Sequence, residues 1–129
     1  MKEILISTIV VILIIIIGTI VQIHLENTSN ELVKKLESLK YDLKQISMKN
    51  AEQIQKQVEK IIQEWENIEK TWSMIVVHQE LDNIEISLLS VKATVENKQI
   101  EEALKELEKS IFLIGHIKGK EAFKIKNIF

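Results

Sequence analysis

The chain has 129 residues, 46% of them hydrophobic and 28% charged, with a formal net charge of −2. Cysteine and proline are absent, every basic residue is lysine, and glycine occurs only at Gly18, Gly115 and Gly119. Disulfides and thiolate metal sites are therefore excluded, bidentate arginine capture of phosphate is excluded, and a basic nucleic-acid-binding stripe is missing.

Ile4 to Ile23 is a twenty-residue apolar run, interrupted only by Ser7, Thr8, Gly18, Thr19 and Gln22, none of them charged. At about 1.5 Å per residue a helix of this length spans roughly 30 Å, the hydrocarbon thickness of a bilayer. Isoleucine is a modest helix former in water, but in lipid the helix satisfies its own backbone hydrogen bonds. Lys2 is a minimal n-region for a cleaved signal peptide. The run, however, exceeds the usual h-region, and Gly18 to His24 lacks a spaced pair of small residues for cleavage. The sequence predicts an uncleaved single-pass anchor over residues 1–26.

Residues 27–129 carry sixteen lysines (seventeen less Lys2) against seventeen acids (nineteen less Glu3 and Glu26), nearly balanced. Glutamate, lysine, leucine and isoleucine dominate, and nothing between Glu31 and Ile114 breaks a helix outright, so the fold expected is all-α. Thr28-Ser29-Asn30 offers N-cap residues, with Glu31 in the first turn behind them. An apolar stripe follows at Leu32, Leu36, Leu39, Leu43 and Ile46, then restarts one residue late at Ala51, Ile54, Val58, Ile61, Trp65, Ile68, Trp72 and Ile75. Without glycine or proline at Ser47–Asn50, continuity is the favoured reading: one helix over about 31–72, with a break at 47–50 as the alternative. Such a stripe also permits a homodimeric coiled coil over Leu32 to Ile75.

Leu81, Ile84, Leu88, Val91 and Val95 mark the next helix, at about 80–96, with Glu80, Asp82 and Glu85 near its positive end. Asn97 is the expected turn residue. Ile100, Leu104, Leu107, Ile111 and Ile114 mark a last helix at about 99–115, with Gly115 as its C′ stop. The tail from Ala122 alternates partially, which predicts an extended segment docking Phe123, Ile125 and Phe129 into a groove. Together these elements make an antiparallel bundle of three or four helices behind a transmembrane helix.

One cluster invites chemistry. On a helix His78, Asp82 and Glu85 share a face at steps of four and three, and imidazole with two carboxylates suits a divalent metal. Both steps recur by chance in charged helices, so the plainer reading is a helix start with its acids placed for the dipole, and no metal or other cofactor is assigned. Trp65, Ile68 and Trp72 lie on one face and are read as core, with a partner-binding patch as the alternative. In a continuous helix Trp65 would stand about 60 Å from the anchor. Ser73 and His78 do not face each other, His24 and His116 have no acid–nucleophile set near them, and no glycine-rich phosphate loop exists. The chain therefore reads as a non-enzyme with no small-molecule substrate.

Trp65 and Trp72, followed by His78-x-Glu80-x-Asp82-Asn83-Ile84-Glu85-x-Ser87-Leu88 and closing on Lys126-Asn127-Ile128-Phe129, resemble short membrane-anchored proteins of spore-forming Firmicutes, the family of domain of unknown function 4363. The resemblance implies an anchor helix, a helical domain, and a setting in the envelope of a sporulating cell beside a partner membrane protein. It supplies no catalytic residues. The reading is a membrane-tethered interaction module whose partner is another membrane protein or a second copy; the rival is a metal- or ligand-sensing domain built on His78, Asp82 and Glu85. Lys2 and the base-free flank Asn27–Val33 place the amino terminus in the cytoplasm and the helical domain outside the cell membrane, although Lys34, Lys35, Lys40 and Lys44 pull the other way.

Overall fold

Four α-helices make up most of the chain: α1 (Lys2–Lys44), α2 (Ala51–Trp72), α3 (His78–Glu96) and α4 (Ile100–Ile128). The computed structural model describes residues 1–45 and 51–128, with side chains described through Ile117, and no strand occurs among them. The fold is all-α.

α1 is 43 residues long, roughly 65 Å at the α-helical rise. Among the described residues it is the one helix long and apolar enough to cross a membrane. Its surface changes character partway along. Every residue through Ile17 is exposed, Gly18 is the first to be half-covered, and from Leu25 a buried stripe runs through Ser29, Leu32, Leu36, Leu39 and Leu43. Thr28-Ser29-Asn30, expected as a helix start, lies inside α1 instead. A helix already under way adds one hydrogen bond per residue, and nothing here interrupts it. Thr28 gives up the capping role and returns its hydroxyl to the His24 carbonyl at 2.8 Å, the usual bond of a hydroxyl inside a helix. The division at residue 26 thus falls within one element.

The single helix over 31–72 is overturned. α1 and α2 are separate helices lying side by side, joined by the Lys35–Glu64 ion pair and by Trp72 Nε1 donating to Thr28 Oγ1 at 3.0 Å. In one straight helix Lys35 and Glu64 would stand roughly 44 Å apart. The coiled coil over Leu32–Ile75 falls with it, because Leu32–Leu43 and Ile54–Trp72 are buried within the chain itself. Ile46 and the break at Ser47–Asn50 lie outside the described residues.

α3 buries Leu81, Ile84, Leu88, Val91 and Val95. It ends in a Schellman arrangement: Gln99 N–H donates to the Thr94 carbonyl at 2.8 Å and Lys98 N–H to Val95 at 3.0 Å. Asn97 is the C-cap with ordinary φ, and it is Lys98 that takes the left-handed φ of 58°.

The extended tail is a second correction. α4 continues through Gly115 and Gly119 to Ile128, and neither glycine has a positive φ. A C′ stop needs the left-handed conformation, and with no proline the lysine- and isoleucine-rich end simply propagates the helix. The side chains of Phe123 and Ile125, and all of Phe129, lie outside the described residues. α4 also turns a different face inward than its apolar periodicity suggests. Ala103, Leu107, Ser110, Ile114 and Ile117 are buried, while Ile100, Leu104 and Ile111 pack at the edge. Small residues let α3 and α4 approach: Ser87 and Ser110 hydroxyls meet at 2.7 Å, and Ser87 donates to the Glu106 carbonyl at 3.2 Å. α1 packs against α2 and α4, and α3 against the same two.

Candidate functional site

Two adjacent residues of α1 tie three helices together. Thr28 accepts the indole N–H of Trp72 at the end of α2, and Ser29 donates to the Ile114 carbonyl of α4 at 3.2 Å. Trp65 and Trp72 are both buried and pack edge to face, ring centroids 5.7 Å apart at 90°. Such a pair contributes about 0.5–1.5 kcal/mol beyond its burial. Trp65 Nε1 is buried without an acceptor among the described residues, so only one indole satisfies its polar atom. Ile68 is partly buried beside them.

His78 opens α3, where it and Asp82 are exposed and Glu85 is partly covered. Among the described residues no group of three or more His, Cys, Asp or Glu is placed to hold a metal ion. Helical phase puts residues on one face without making them converge. What His78, Asp82 and Glu85 do meet is α2. Partial burial raises the pKa of Glu69, the Glu85, Asp82 and Glu66 carboxylates raise it further, and only His78 opposes them. Glu66, Glu69 and His78 edge an open depression that also includes Lys70 and Ser73. Ser73 spends its hydroxyl on the Lys70 carbonyl at 2.8 Å. His24 is exposed on α1, and His116 stacks on Phe112 with centroids 5.5 Å apart.

On the outer face of α3, Ile86 and Leu89 are exposed one turn apart, 59% and 48% accessible. At the turn between α2 and α3, Met74 is 86% and Val77 51% accessible, while Val76 is buried. The periodicity passed over Ser29, Ser87 and Ser110 because they are polar. Each nevertheless falls in the spacing of its stripe (Leu25, Ser29, Leu32; Ile84, Ser87, Val91; Leu107, Ser110, Ile114), and that spacing is the signal that identifies them.

Residues 19–128 match the model of a family described as Domain of unknown function (DUF4363). No curated protein and no solved structure matches the chain.

Proposed function

The chain belongs to that family, and we propose that it is a non-catalytic single-pass membrane protein whose helical body presents a surface to a partner protein beside the bilayer. The observation that carries the reading is the double character of α1. Its first sixteen residues, Lys2–Ile17, are exposed on every side and overwhelmingly apolar, a surface that lipid covers and water does not. The same helix then supplies a core stripe, so anchor and body are one rigid element.

Contacts between helices support an up-and-down antiparallel bundle. Thr28–Trp72 and Lys35–Glu64 run in opposite numerical sense along α1 and α2, as do Ser29–Ile114 and Lys40–Glu108 along α1 and α4. Ile86 and Leu89 supply the apolar patch for a partner on the outer face of α3. The amino terminus lies in the cytoplasm and the body outside, and the setting carried by the family resemblance is the envelope of a spore-forming cell.

The full chain should resist alkaline extraction of native membranes and leave only with detergent. From that extract a tagged copy should capture one membrane protein in fixed proportion, and Ile86→Glu with Leu89→Glu should abolish capture while membrane retention and melting stay unchanged. A soluble mature polypeptide with a new amino terminus beyond Ile23 overturns the anchor. Recovery of the unaltered chain as a lone monomer overturns the partner reading.

A further inference from the structure

We infer that the turn between α2 and α3 is a second lipid contact, an apolar foot that enters the headgroup–acyl boundary beside α1. The inference rests on α1 crossing the bilayer.

Its height above the membrane is fixed by one hydrogen bond. Trp72 is the last residue of α2, and its indole is held on Thr28. Thr28 lies five residues past Ile23, the end of the apolar run, which is about 7–8 Å along the helix axis. The polar layer of a bilayer is itself about 5–8 Å deep on each side of the hydrocarbon. The chain turns immediately after Trp72: Ile75 and Val76 N–H both return to the Trp72 carbonyl, at 2.9 and 2.7 Å. The turn therefore begins at the level of Thr28, within the depth of that polar layer.

Its composition is wrong for water and right for that layer. Met74, Ile75, Val76 and Val77 are consecutive and uncharged. Ile75 and Val76 turn inward, leaving Met74 and Val77 outward, with Met74 the most exposed apolar side chain among the described residues of the helical body. Coverage of α1 supports the same geometry. Gly18, Val21 and Gln22 are already half-covered within the apolar run, so burial against α1 begins inside that run and the helical body does not stand off on a stalk.

The chain has no cysteine, so single introduced thiols report position without background. Met74→Cys, Val77→Cys, Ile12→Cys and Tyr41→Cys all replace exposed side chains. Each full-length variant is labelled with a nitrobenzoxadiazole probe and reconstituted in phosphatidylcholine–phosphatidylglycerol vesicles. The labels at 74 and 77 should shift to the blue and lose emission to a lipid bearing a nitroxide near the headgroup. The label at 12 should shift further, and the label at 41 should keep its emission in water. Labels at 74 and 77 that match the one at 41, with the one at 12 still shifted, refute the foot and leave the anchor standing. A label at 12 that behaves as in water refutes both.

Discussion

Glu69 sits among like charges. Its carboxylate is partly desolvated and faces Glu85, Asp82 and Glu66, with His78 as the one group pulling the other way. A carboxyl whose folded pKa is raised binds its proton more tightly in the native state than in the unfolded chain. Its ionised form therefore subtracts stability at neutral pH, and that loss lifts as the pH falls through the raised value toward the ordinary 4.5. Glu69→Gln should raise the melting temperature at pH 7. The difference between variant and parent should shrink on acidification and vanish well below pH 4.5, where the carboxyl is neutral in both the folded and the unfolded chain. Circular dichroism melts across that range decide it, and a gain that does not change with pH would assign the effect to packing. The residues of this cluster were legible in the sequence as one face of α3. Their opposition to Glu69 was not, because a pattern along one helix says nothing about which helix lies across from it.

Among the elements, α3 was the most readable, since all five of its predicted apolar positions are buried. α1 and α2 were the least. The one-residue phase slip after Ile46 is equally consistent with a disturbed long helix and with two packed helices, and without glycine or proline the choice falls to long-range burial, which periodicity along one chain does not contain. Glycine misled in the opposite direction at α4. Nothing stands within 4 Å of a Cβ built on Gly115 or Gly119, and both have ordinary helical φ. They weaken that helix without ending it. The left-handed position falls instead at Lys98, where a Cβ crowds the neighbouring carbonyl at a cost of about 1–2 kcal/mol. Lys98→Gly removes the crowding but frees the unfolded chain, so a net gain of roughly 1 kcal/mol is expected. For a domain of this size that is a rise of roughly 4–8 °C in melting temperature. A variant that melts at or below the parent would mean that the Gln99–Thr94 and Lys98–Val95 bonds do not hold the turn in this form.

For the molecule as a whole, the consequence of α1 is that anchor and core cannot be separated at residue 26. Leu25 falls inside the predicted anchor segment 1–26, yet it is 1% exposed and is packed in the same cluster as Leu32 and Trp72. Ile12, in the same segment, is 50% exposed. Shortening each to alanine in the full-length protein therefore probes two different solvents. Leu25→Ala leaves a cavity in a packed interior and should cost about 2–5 kcal/mol. If α1 spans the bilayer as proposed, Ile12→Ala exchanges one lipid-facing aliphatic group for a smaller one and should leave the unfolding of the helical body unchanged. Denaturant unfolding in detergent micelles, followed through Trp65 and Trp72, separates them, because both indoles sit in the core that Leu25 supports. Equal effects of the two substitutions would detach α1 from the body. Unequal effects would make the orientation of the core a direct consequence of how the apolar segment sits in the bilayer, since one uninterrupted helix transmits any tilt of the anchor to every contact from Leu25 to Leu43.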